Sequence, residues 1–131
     1  MGVTAIKRVF NLSPYSVRFV NNENADKPGN KGLLGPGSEV DIDVWIPWCD
    51  RVEDLDRKTI TVRVDDGNIG IYSIFQRADD LDGDFVRLVD RSVPGNFGDF
   101  DGRRRIGGDS SVNGDRELIV DLDGRLFLQR A

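Results

Sequence analysis

The fold is decided by the stretch Glu39-Val40-Asp41-Ile42-Asp43-Val44-Trp45-Ile46. Apolar and polar side chains alternate along it, and a period of two is typical of a strand that buries one face. The alternation predicts a strand over 39–48 with a core face made of Val40, Ile42, Val44 and Ile46. The opposite face then carries Asp41 and Asp43 in solvent beside Trp45, and Pro47 either ends the strand or marks it as a sheet edge.

Similar apolar stretches separated by turn signals occur outward from this strand in both directions. Together with residues 39–48 they predict about eight short strands; the other stretches are 3–10, 16–21, 58–65, 69–77, 85–89, 116–122 and 125–129. Three neighbouring pairs are predicted to form hairpins, with turns at 11–14, 65–68 and 123–124. The sequence therefore predicts one all-β domain over 1–131, an antiparallel β-sandwich, with a small β-barrel or a β-trefoil as alternatives.

Two segments are predicted to be long surface loops because they are rich in glycine and polar residues. They cover residues 21–38 and 90–115, and long loops in a small domain often carry its function. The charged segment 49–58 has Val52 and Leu55 three residues apart, a spacing that fits either one helical turn or an irregular loop.

Composition limits the partners that the chain can have. Its 23 acidic and 18 basic residues give a net charge of −5, which argues against a nucleic-acid surface, since phosphate binding needs clustered lysine and arginine. The absence of a long apolar segment predicts no membrane insertion. Without an export signal at the N-terminus the expected location is the cytoplasm, and secretion after removal of a signal peptide is the alternative.

The chain has no histidine and only one cysteine, Cys49. This removes the commonest general base, the usual nucleophile pairs and the commonest transition-metal ligand. No disulfide can form within the chain, and Cys49 is predicted to be buried and inert. The composition favours a non-catalytic binding module without a cofactor over a small histidine-free enzyme that works with paired carboxylates.

The motif D-x-D-G occurs three times, at 80–83, 99–102 and 121–124. Each copy lacks the first ligand of a calcium loop, because Ala78, Phe97 and Ile119 occupy that position. The copies are therefore predicted to be Asp-Gly turns in a fold that does not require calcium. If the chain does hold a metal, the best candidate ligands are Asp79, Asp80, Asp82 and Asp84.

Both tryptophans of the chain lie in the string Trp45-Ile46-Pro47-Trp48. Strand alternation places Trp45 beside Asp41 and Asp43, and an indole ring next to carboxylates suits a sugar, whose C–H face stacks while its hydroxyls donate hydrogen bonds. The sequence predicts lectin-like binding of a carbohydrate or other polyol on this face, with Trp48 as a further contact and loop 21–38 above it. Binding of a protein partner, or self-assembly into a homo-oligomer, is the alternative.

A basic triplet, Arg103-Arg104-Arg105, interrupts the glycine-rich segment 90–115. Guanidinium groups bind phosphates, carboxylates and acidic protein surfaces through paired hydrogen bonds. The triplet is therefore included among the predicted ligand-binding residues, with pairing to Asp99 and Asp101 as the purely structural interpretation.

Overall fold

The computed structural model describes residues 3–27, 29–76, 85–91 and 104–131. Within these residues two sheets of five strands are formed, and neither closes into a barrel. The predicted β-sandwich is confirmed, and the alternatives that need a closed barrel are wrong. In chain order the strands are β1 (Thr4–Asn11), β2 (Val17–Asn21), β3 (Lys31–Leu34), β4 (Glu39–Trp45), β5 (Ile60–Val64), β6 (Gly70–Gln76), β7 (Val86–Asp90), β8 (Gly107–Gly108), β9 (Gly114–Val120) and β10 (Leu126–Arg130).

The two sheets have the strand orders β4-β1-β9-β10-β8 and β3-β2-β5-β6-β7. Most neighbouring strands are antiparallel, but β1 pairs with β9, and β8 with β10, in parallel. The predicted hairpin between 3–10 and 16–21 is wrong, because β1 and β2 lie in different sheets. The buried Asn11 explains the crossover, since its side-chain amide donates to the carbonyls of Tyr15 at 2.7 Å and Gly35 at 3.0 Å and holds the connecting turn.

The other two predicted hairpins, β5–β6 and β9–β10, are confirmed. In the first turn Asp65 and Asp66 have φ of 54° and 53°, a left-handed conformation that aspartate tolerates better than most residues. In the second, the Asp121 carboxylate accepts from the backbone N–H groups of Asp123 and Arg125, each at 2.9 Å. This copy of D-x-D-G is therefore a hairpin turn whose aspartate is used by the backbone.

One apolar core lies between the sheets and follows the predicted alternation for most strands. In β4, Asp41 and Asp43 are exposed as predicted, and Val44 and the following Ile46 are each only 2% exposed. The prediction for Val40 is wrong, because its side chain is 37% exposed. It lies near the start of β4, which among the described residues has a neighbouring strand on one side only.

Segments predicted as loops contain further structure. β3 lies within 21–38 and buries Leu34, and β8 lies within 90–115, of which residues 92–103 are outside the described part. In the 49–58 segment one 3₁₀ turn, Val52–Asp54, presents Leu55 to a small second core that also contains Cys49, Phe75 and Val89.

Helical structure in the described ranges is confined to three-residue 3₁₀ turns. No helix there combines the length and the apolar character that a membrane span requires.

Candidate functional site

A cleft of about 340 Å³ lies at the end of β4 and is lined by residues from both sheets. Trp45 and Trp48 line it together with Asp43, so three of the residues predicted for ligand binding come together here. We call this the Trp45 cleft. Its remaining polar lining comes from Gln76 and from the end of β2 and the loop that follows it, namely Asn21, Glu23, Asn24, Lys27 and Asn30.

The two tryptophans reach the cleft in different ways. Trp45 is 64% exposed and is paired across the sheet with Ala5, whose methyl group is too small to cover an indole ring. Trp48 is half-buried and forms a parallel bridge with Gln76 of the other sheet. The segment between them therefore carries the chain from one sheet to the other, and the cleft lies at this crossover.

Gln76 fixes the crossover from inside the protein, where it has no solvent exposure. Its side-chain amide donates to the carbonyl of Ile46 at 2.7 Å, and its carbonyl oxygen accepts from the Thr4 hydroxyl at 2.9 Å. The Gln76 backbone adds bonds with Pro47 and Cys49 on either side of Trp48. These bonds define the backbone positions of the two tryptophans.

Asparagines hold the loop that forms the other wall of the cleft. The Asn21 side chain accepts from the N–H of Glu23 at 3.2 Å, and the Asn30 amide donates to the carbonyl of Asn24 at 2.9 Å. A backbone bond of 2.7 Å from Asn21 to Asn30 closes the loop. Within the described residues, the Asn21 Nδ2 and the Asn30 Oδ1 have no other partner and can bind a ligand.

The two aspartates of β4 have separate environments. Lys7 Nζ lies 2.7 Å from Asp43, and Arg8 Nε lies 2.5 Å from Asp41. The hydrogen bond that Lys7 donates to Asp43 raises the pKa of Lys7 above its ordinary value. Asp41 does not line the Trp45 cleft. Basic residues of the neighbouring strand β1 therefore pair with both carboxylates.

The two described residues of the arginine triplet, Arg104 and Arg105, do not line the Trp45 cleft. Arg104 and Arg105 line a second cleft that shares no residue with the first, and Arg103 lies outside the described residues. Two further residues of this second cleft, Tyr72 and Arg125, were not predicted. Tyr72 reads as an ordinary strand residue and Arg125 as a turn residue, so the sequence offers no signal for either.

Cys49 is fully buried, and burial is the main cause that raises the pKa of its thiol to about 11. A thiol that stays protonated at neutral pH is a poor nucleophile. The structure therefore agrees with the prediction of an inert cysteine.

In the ranges that the structure describes, no three acidic, cysteine or histidine residues are grouped as a metal site. The first two D-x-D-G copies lie outside these ranges, and so do Asp79, Asp80, Asp82 and Asp84.

Comparison with protein families, curated proteins and solved structures found no match to the chain. The candidate site therefore rests on its own geometry.

Proposed function

We propose that this protein is a non-catalytic binding module that takes a carbohydrate or another polyol in the Trp45 cleft. The observation that carries the proposal is the joint lining of one cleft by two indole rings, two carboxylates and three asparagine side chains. Few ligands other than sugars need both flat apolar surfaces and many hydrogen-bonding groups of both kinds.

The exposed ring of Trp45 favours stacking of a sugar, because most of the residue's surface is accessible to solvent. Neither indole N–H has a hydrogen-bond partner among the described residues, so both can donate to ring or hydroxyl oxygens. Glu23 and Asp43 supply acceptors from opposite walls, and a carboxylate accepts strongly from hydroxyl groups. Because hydrogen bonds of Gln76 hold the backbone of the crossover, ligand binding should cost little conformational entropy there.

A glycan array probed with the native protein identifies the ligand class, and calorimetric titration with the best glycan then gives its affinity. Trp45→Ala is expected to weaken binding at least about tenfold, as is common for a central aromatic contact. The matched control is Leu33→Ala, which removes another exposed apolar side chain, 61% exposed, on the edge strand β3. Leu33 does not line the cleft, so this variant should bind like the native protein.

Thermal unfolding separates a binding role for Trp45 from a structural role. Since Trp45 is 64% exposed, Trp45→Ala should leave the melting temperature close to the native value. Removing a buried tryptophan would instead cost about 3–5 kcal/mol. A strongly destabilised variant, or one that binds the glycan with native affinity, would contradict the proposal.

Self-assembly is a second candidate function, favoured by the position of the same residues. Among the described residues β4 is an edge strand of seven residues with a neighbouring strand on one side only, and Val3, which lines the cleft together with Trp45, is 47% exposed. Exposed edges and apolar side chains are the usual starting point for strand pairing between chains. Light scattering distinguishes the two functions, because a dimer that Trp45→Ala converts to a monomer assigns this surface to self-association.

A further inference from the structure

A second cleft, of about 400 Å³, is lined by residues of β6, β7, β8 and β10 together with the segment before β8. β7 and β8 each stand at one end of the strand order of their sheet, and backbone hydrogen bonds join β7 to the segment before β8, from the Leu88 N–H to Arg104 and from the Ile106 N–H to Val86. The cleft therefore lies where this segment connects the two sheets. It shares no lining residue with the Trp45 cleft. We call it the arginine cleft.

The charge of the arginine cleft is opposite to that of the protein. Arg104, Arg105 and Arg125 line it with one acidic residue, Asp90, which gives a net charge of +2 in a chain whose net charge is −5. Arg104 and Asp90 already have interaction partners. The capacity of the cleft for a ligand therefore depends on the other two arginines.

Packing and backbone bonds position these two arginines. The Arg105 guanidinium lies 4.1 Å from the centroid of the Phe85 ring, and stacking of this kind fixes the guanidinium plane while leaving its N–H edges available. The backbone N–H of Arg125 is held at 2.9 Å by the Asp121 carboxylate in the β9–β10 turn. Neither guanidinium forms an ion pair within the described residues.

A tyrosine hydroxyl in the same cleft has no hydrogen-bond partner in the described part of the chain. Tyr72 is only 9% exposed, and its hydroxyl forms no hydrogen bond with the described residues, although buried polar groups normally have one. Burial raises the pKa of Tyr72, helped by the nearby Asp90. The hydroxyl is therefore protonated at neutral pH and is available as a donor.

We propose that the arginine cleft binds a small organic anion, with Arg105, Arg125 and the Tyr72 hydroxyl holding its oxyanion. Leu88 and Leu126, which are 4% and 5% exposed, provide an apolar wall for the rest of the ligand. A carboxylate and a phosphate present the same chemistry to a guanidinium fork. This site is independent of the proposed polyol site.

The test is calorimetric titration with phenyl phosphate, benzoate and the neutral benzamide, each at low and at high salt. We expect at least one of the two anions to bind, benzamide to bind at least about tenfold more weakly, and added salt to weaken anion binding. The stronger of the two anions identifies the headgroup. Trp45→Ala should leave these affinities unchanged, so the failure of one site is distinguishable from the failure of the other.

Two variants assign the binding to the arginine cleft. Arg125→Gln and Tyr72→Phe should each weaken anion binding about five- to tenfold or more, the usual effect of losing one hydrogen bond to a charged group. Arg63→Gln removes the same charge from an exposed position on β5 and should bind like the native protein. Arg125 is exposed, so its variant keeps the test valid even if Tyr72→Phe fails to fold.

Two results would overturn the proposal. One is the absence of binding by both anions at millimolar concentration. The other is binding that Arg125→Gln weakens no more than Arg63→Gln does, because this would show a general attraction of anions to surface arginines.

Discussion

Replacing Gln76 with leucine should destabilise the protein strongly, although the two side chains have similar volumes. Gln76 is fully buried and makes two side-chain hydrogen bonds, to Ile46 and Thr4. Leucine fills the space and makes neither bond. The Ile46 carbonyl and the Thr4 hydroxyl proton then remain in the protein interior without partners.

The size of the effect follows from these two bonds. A buried hydrogen bond contributes about 1 kcal/mol net, and a buried polar group left unpaired costs about 1–3 kcal/mol. Part of this cost is recovered because leucine is apolar, so the expected loss is roughly 2–5 kcal/mol. With a urea dependence of about 2 kcal/mol per molar, the unfolding midpoint should fall by roughly 1–2 M.

Equilibrium unfolding in urea, followed by tryptophan fluorescence and circular dichroism, measures this shift. The matched control is Gln129→Leu, which makes the same change at an exposed position where the amide donates to the exposed side chain of Glu117, at 2.7 Å. The control should change the free energy of unfolding by no more than about 0.5 kcal/mol. If Gln76→Leu is no more destabilising than its control, the hydrogen bonds of this side chain do not hold the crossover.

Two further substitutions test the charge pairing and the core assignment. Asp54 is 3% exposed and is bonded to Arg57 and Arg51; burial alone would raise its pKa, but these arginines lower it below the ordinary 3.8. The contribution of the ionised Asp54 to stability is therefore complete above pH 3.8 and is lost as the pH falls below that value. In thermal melts Asp54→Asn should unfold at a lower temperature than the native protein at pH 7, and the two melting temperatures should converge near pH 2. A difference in melting temperature that does not depend on pH would contradict this. The Val44 side chain is 2% exposed, so Val44→Ala should lower the free energy of unfolding in urea by about 2–3 kcal/mol. The Val40 side chain is 37% exposed, and Val40→Ala should lower it clearly less. Equal losses would contradict the assigned core boundary.

The parts of the fold that could be predicted from the sequence are those set by neighbouring residues. Ile60, Val62 and Val64 are buried as their alternation requires, and the aspartates and glycine that follow form the expected turn. Both signals act over a few residues. A local pattern is therefore enough to identify β5, β6 and the turn between them.

Pairings between distant segments could not be predicted in this way. β1 pairs in parallel with β9, and Thr4 lies opposite Gly114, but no local pattern identifies a partner so far along the chain. Residues 11–14 do turn the chain, but this turn connects the two sheets and does not close a hairpin. The same local signal can close a hairpin or connect two sheets. Here the Asn11 amide donates to the carbonyls of Tyr15 and Gly35, and the chain passes to the other sheet.

The candidate clefts show the same limit. Trp45 and Trp48 are close in sequence, so their proximity could be predicted from spacing, whereas the asparagines of the opposite wall become neighbours only through the β2–β3 hairpin. The arginine cleft joins Arg105 to Tyr72 and Arg125. These three residues belong to separate segments, and only the packing of the two sheets brings them together.

The exposure of Trp45 is the strongest reason to look for function on β4. Burial of apolar area is what makes a large aromatic side chain stabilising, and a ring that is 64% exposed gives up most of that benefit. Asp41 and Asp43 on the same face are paired with basic residues of β1, which already favours the sheet without an aromatic neighbour. Ion pairs with β1 therefore account for the two aspartates, but nothing in the fold accounts for an indole ring at position 45. A ligand or partner that covers the ring would account for it.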